Sequence, residues 1–167
     1  MKQQALFTAG ERRSSRALDH MRRVGHFEFG LDRRAINTGN DELAAEVTQL
    51  WANGEEVEGW ARYWAYIYDS VADTLDAHPQ LSQACLVIRY EDLCQRPEEM
   101  LARFYEHCSL EITEADLHQA ASRLHFPGYY RPAFSDQELA MIERITFSTA
   151  RRFGYESLAT NNLNNIS

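Results

Sequence analysis

Two groups of residues in this chain have types and spacing that could do chemistry. The first is Arg89, Tyr90, Glu91 and Asp92, which follow directly on the apolar run Ala84 to Ile88. Charge and an aromatic ring at the end of a buried strand usually face a cleft, and in open α/β sheets ligands sit beyond those strand ends. The second is Arg12, Arg13, Ser14 and Ser15, preceded by Gly10. Guanidinium forks, hydroxyls and a turn-forming glycine are the parts from which anion sites are built. A purely structural role also fits the first group: Glu91 and Asp92 would cap the following turn while Arg89 pairs with one of them.

These groups need elements to position them. Ala84 to Ile88 holds two β-branched residues and follows the polar segment HPQLSQ, so it reads as a strand covered on both faces, of the kind found in parallel α/β sheets. Ala5 to Ala9 reads as a second short strand, leading through the polar turn Glu11 to Ser15 into a helix over Arg16 to Val24, ended by Gly25. Residues 26–40 show no clean period and read as loop. Asp41 starts a helix to Asn53, with Asn40 or Asp41 as cap. From Glu55 to Ala77 the positions Val57, Trp60, Trp64, Ile67, Tyr68, Val71 and Leu75 recur at three and four residues, which predicts a long amphipathic helix with an aromatic core stripe. Pro97 opens a helix to Cys108, and Thr113 with Asp116 opens another through Leu124. The aromatic segment Phe126 to Phe134 reads as a loop. Ser135 with Glu138 then forms a capping box for a last helix to Phe153.

The stretch VIRYEDLCQRPEEMLARFYEHCSLEI, residues 87–112, resembles the strand, loop and helix near the end of the sulfotransferases that use 3'-phosphoadenosine 5'-phosphosulfate (PAPS). The tail supports the likeness. Tyr129, Tyr130 and Arg131, the helix through Leu139, Ile142 and Ile145, and Arg152 to Tyr155 are similar to that family's closing helix and its GlyTyr. The resemblance covers roughly residues 40–155. It implies an α/β fold, a P-loop NTPase-like sulfotransferase architecture that is truncated and mostly helical, with a small parallel sheet. Residues 1–155 would form one such domain, matching the C-terminal part of the family fold, with residues 156–167 as a flexible tail.

The same resemblance implies an activity: transfer of a sulfuryl group from PAPS to a hydroxyl or amine acceptor, a small molecule or a carbohydrate. Tyr90 would lie beside the adenine ring, and Arg12, Arg13, Ser14 and Ser15 would hold phosphate. From its residues alone, Tyr90 equally suits a core position with its hydroxyl satisfied by a neighbour. The family's catalytic base lies upstream of everything matched, so no catalytic residue is assigned. The chain also departs from the pattern. Its one lysine is Lys2, and Glu11 and Asp19 fall where a 3'-phosphate site should present Arg and Ser. The alternative is a non-catalytic helical interaction module derived from the same fold, in which exposed Tyr63, Tyr66, Tyr129 and Tyr130 meet a partner chain or a second copy.

Composition narrows the classes further. With 167 residues and 44% hydrophobic content, the chain can bury one ordinary core. Three cysteines, Cys85, Cys94 and Cys108, lack metal-ligand spacing and suit reduced packing thiols. No metal site is expected. Nowhere do eighteen apolar residues follow one another, so no membrane segment is expected and a cytoplasmic location fits. Residues 1–34 carry eight basic against four acidic side chains, about +4, while the remainder carries nine against twenty-one, about −12. Such an acidic body argues against general nucleic-acid binding, which needs clustered Lys and Arg. An anionic nucleotide would sit against the basic N-terminal segment.

Overall fold

The computed structural model describes residues 2–24, 29–128 and 133–155. Nine α-helices follow one another among them: α1 Lys2–Arg13, α2 Ser15–Val24, α3 Asp41–Ala52, α4 Glu56–Ala77, α5 Pro79–Ala84, α6 Tyr90–Gln95, α7 Pro97–His107, α8 Glu114–Ala121 and α9 Asp136–Arg152. No strand or sheet occurs among the described residues, and this overturns the expected α/β architecture with a parallel sheet. No described helix is long and apolar enough to cross a membrane. The chain divides into two compact units. One comprises residues 1–72 with 134–167, the other residues 73–133.

The helix starts follow from capping chemistry. The Asn40 side chain accepts the Leu43 N–H, and that of Thr113 accepts the Asp116 N–H. Ser135 and Glu138 satisfy each other's backbone N–H groups in a complete capping box. Backbone donors that the first turn leaves unpaired are thus met by side chains within three residues in the sequence.

In the first unit the core lies between α3 and α4. Val47 and Trp51 from α3 meet Tyr63 and Tyr66 from α4, with Leu43, Trp60 and Ile67 partly buried around them. Gly54, at φ +85°, makes the turn that joins the two helices. The buried face of α4 is set one residue away from the predicted stripe. Tyr63 and Tyr66 are buried, whereas Tyr68 and Val71 are exposed. The phenol oxygens explain the shift. Tyr63 Oη accepts the Ile36 N–H at 3.2 Å, and Tyr66 Oη accepts the Thr38 N–H at 2.5 Å, so both rings can be buried without stranding a hydroxyl. Burial opposes ionisation of Tyr66, but the donors from Thr38 and Asn40 outweigh it and hold its phenol below the ordinary range. The expectation that Tyr63 and Tyr66 stand exposed is therefore corrected. Tyr129 and Tyr130 lie outside the described residues.

Residues Ala5 to Ala9, expected as a strand, lie within α1. That helix runs through Gly10, which costs it about 1 kcal/mol relative to alanine, because contacts distant in sequence hold it. Gln4 and Glu11, two helical turns apart, clasp one segment: Gln4 exchanges hydrogen bonds with the backbone of Gly30 at 2.8 and 3.0 Å, and Glu11 accepts the Leu31 N–H at 2.5 Å. Between them Phe7 stacks on Phe29, which stacks on Trp60. Arg33 closes this region, with its guanidinium on Glu56 at 2.8 Å, on the Trp51 carbonyl at 3.0 Å and over the Trp51 ring. That guanidinium holds the Glu56 carboxyl below the usual carboxylate range against the opposing effect of burial. Further along α4, Asp69 accepts from Thr149 at 2.9 Å and pairs with Arg152 at 3.2 Å, fastening α9.

In the second unit α5, α6, α7 and α8 surround few fully buried side chains. Among its described residues only Met100 and Ala121 are buried. Cys85 and Arg89, the ends of a segment with no helix, turn or bend, are extended, with φ/ψ of −104°/131° and −72°/139°, but no neighbouring strand accompanies the segment among the described residues. The strand expected over Ala84 to Ile88 is thus corrected: Ala84 ends α5, and the residues after it have no second strand to pair with among the described residues. Cys85 is correspondingly exposed rather than packed in a sheet, and all three cysteines are free.

Candidate functional site

The end of the extended stretch is the most organised polar feature of the second unit. Arg89 grips Asp92 with two hydrogen bonds, Nε to Oδ2 at 2.6 Å and Nη2 to Oδ1 at 2.9 Å, and Arg96 adds a third at 3.0 Å. Arg96 also reaches Glu99 at 3.0 Å. The Arg89 fork is the main reason that the Asp92 carboxyl is held down at about 2, with Arg96 adding to it and burial opposing. Asp92 is thus a fixed anion that locks the first turn of α6 to α7.

A carboxyl with a depressed folded pKa stabilises the fold above its unfolded value and loses that contribution as the pH falls from about 4 to about 2. Asp92→Asn should cost about 1 kcal/mol near neutral pH after allowance for solvent screening. It should also flatten the acid limb of the unfolding curve between those values, which circular dichroism in an acid titration would read. An acid limb equal to that of the wild type would contradict the assignment.

With the turn fixed, Tyr90 presents its ring to one side. The ring is 52% exposed and stands edge-on to Phe126, itself 42% exposed, with centroids 6.1 Å apart and planes at 89°. The two half-exposed rings thus form an edge-to-face aromatic corner. Phe126 lies 36 residues from Tyr90 in the chain, and no local pattern could have paired them. The one signal was the aromatic character of the Phe126 to Phe134 loop.

A second recess in this unit, of about 530 Å³, is lined by Tyr105, Ile112, Thr113, Asp116 and Arg123 among others. It holds two acids, Glu111 and Asp116, and Asp116 accepts from Thr113 Oγ1 at 2.7 Å.

Arg12, Arg13, Ser14 and Ser15 come together at the corner between α1 and α2, in the first unit. Arg12 and Arg13 end α1, and both are exposed. Ser14 is the single residue between the helices, and its hydroxyl accepts the Ala17 N–H at 3.4 Å, so it serves as the cap of α2. Ser15 opens α2. The strand, loop and helix expected around these residues is a helix, a one-residue break and a helix. No run of successive loop amides of the kind that cradles phosphate is formed there. Glu11, which fell where a phosphate-binding group should be, is buried and committed to Leu31. Tyr90 belongs to the other unit.

No family model matches the chain, and no curated protein or solved structure matches it with significance.

Proposed function

We propose that this chain serves sulfuryl transfer from PAPS, with the Tyr90 and Phe126 corner taking the adenine ring. The observation that carries this reading is the half-exposed Tyr90 ring at the end of the extended apolar stretch, set on a turn that Arg89, Asp92 and Arg96 fix. A ring so placed loses little conformational freedom on stacking. Sulfuryl transfer asks a protein mainly to position donor and acceptor and to neutralise anionic groups, as phosphoryl transfer does. The acceptor is a hydroxyl or an amine.

Calorimetric titration with adenosine 3',5'-bisphosphate should give weak heat in the millimolar range. Tyr90→Ala should weaken that binding about tenfold, given about 1 to 3 kcal/mol for stacking a base on an aromatic ring. A folded sample giving no heat with millimolar nucleotide would sink the reading.

A second reading, a non-catalytic module that works by assembly, is favoured by one observation. The second unit fully buries two described side chains, while Leu81, Val87, Phe104 and Leu110 stand between 44% and 55% exposed. Light scattering that finds a strict monomer at high concentration would count against it.

A further inference from the structure

We infer that the corner between α1 and α2 docks on an anionic lipid surface, as a peripheral contact that lies on the bilayer and does not span it. The inference is independent of nucleotide binding and of the assembly reading. It begins with charge. Residues 2–24 hold six basic side chains against two acidic, about +4, while the whole chain carries −8, so the other residues carry about −12. Positive charge segregated onto two consecutive helices is the footprint of an anionic partner.

Only some of these cations are available. Arg22 pairs with Asp32 and lies 4.0 Å from Asp19, which answers both of those acids. Glu11 is buried and holds Leu31. Arg12, Arg13 and Arg16 flank the one-residue break at Ser14; they are exposed, and their side chains enter no ion pair or hydrogen bond among the described residues. Three unpaired guanidiniums thus stand within five residues of chain.

What lies beside them selects a bilayer over other polyanions. α1 turns Gln4, Phe7 and Glu11 toward residues 29–31, which leaves Ala5, Leu6, Ala9, Arg12 and Arg13 on its outer face. Leu6 is 65% exposed, more than any other large apolar side chain among the described residues. In α2 the apolar residues Ala17, Leu18, Met21 and Val24 share one face and Arg16 and Arg23 the opposite one, yet none of its residues is fully buried. Exposed apolar side chains beside arginines have no counterpart on a phosphodiester backbone or a run of acidic residues. At the headgroup boundary of a bilayer they leave water while the guanidiniums meet lipid phosphates. The acidic remainder of the chain is repelled by such a surface, which favours the approach that leads with this corner.

Co-sedimentation of the full chain with vesicles of phosphatidylglycerol and phosphatidylcholine in equal parts, and with vesicles of phosphatidylcholine alone, tests the inference. Binding is expected to the anionic vesicles only, and it should fall steeply in about 0.5 M salt. Arg12→Gln combined with Arg13→Gln should weaken it about thirtyfold, and Leu6→Ser about fivefold. Arg144→Gln, which removes an exposed cation from α9, should change it by less than about twofold. If the paired variant does not fold, the lipid and salt dependence of the wild type decides. Absence of binding to anionic vesicles, equal binding to neutral ones, or a loss in Arg144→Gln as large as in the Arg12 and Arg13 pair overturns the inference. Retention on immobilised polyglutamate without vesicle binding overturns it too, and would assign the corner to an acidic protein instead.

Discussion

Gly59→Ala should destabilise the chain by about 2 to 3 kcal/mol, although the substitution replaces the poorest ordinary helix former with the best. In an open helix position it would stabilise by about 1 kcal/mol. Packing reverses the sign. A Cβ at Gly59 would lie 2.5 Å from Trp51 Cδ1 and 2.6 Å from its Nε1. Trp51 cannot withdraw, because it is buried with Trp60 at 4.6 Å, Tyr63 at 5.4 Å and the Arg33 guanidinium at 4.8 Å from its ring. Close approach also accounts for the indole N–H, which is buried without an acceptor against the helix backbone. Thermal unfolding should show a midpoint lower by several degrees. In a Trp51→Phe background the same substitution should cost less, since the smaller ring leaves space, and a double-mutant cycle would measure that coupling. An unchanged or raised midpoint for Gly59→Ala alone would contradict the packing described.

Gly30→Ala should be similarly costly, about 2 to 4 kcal/mol, for two reasons that add. Gly30 adopts φ +95°, a conformation that residues with a Cβ rarely take. The new methyl would also come within 2.5 Å of Glu11 Oε2. That carboxylate is the acceptor for Leu31 and is buried, so moving it strands a backbone N–H and a charge together. Chemical denaturation of Gly30→Ala and of the double variant Gly30→Ala, Glu11→Ala separates the two effects. Backbone strain persists in the double variant; the steric conflict does not. If both variants match the wild type, the clasp on residues 30 and 31 contributes nothing.

The parts of the fold that were legible in the sequence are those fixed by near neighbours. Asn40, Thr113 and Ser135 cap helices within three residues of themselves, and Pro97 opens α7 where its missing N–H is harmless. The parts that were not legible depend on residues far away in the chain. Ala5 to Ala9 carries no helix cap and looks like a strand, yet its partners are at Phe29 and Gly30. The buried face of α4 was misjudged because periodicity counts apolar character and ignores hydroxyls. Tyr63 and Tyr66 became the better core residues only because the 36–40 segment brings N–H groups to them.

The candidate site divides in the same way. The pairing of Arg89 with Asp92 spans three residues and could be anticipated; the meeting of Tyr90 with Phe126 could not. The Arg12 to Ser15 group failed as a phosphate loop for a local reason, since a one-residue break gives Ser14 a helix to cap.

The three tryptophans of the chain, Trp51, Trp60 and Trp64, all belong to the first unit, two of them in one aromatic file from Phe7 to Tyr63. Their fluorescence is therefore a private optical channel for that unit and silent about the other, whereas the far-ultraviolet helix signal sums both. Unfolding followed at the two wavelengths side by side would show whether residues 73–133 melt on their own.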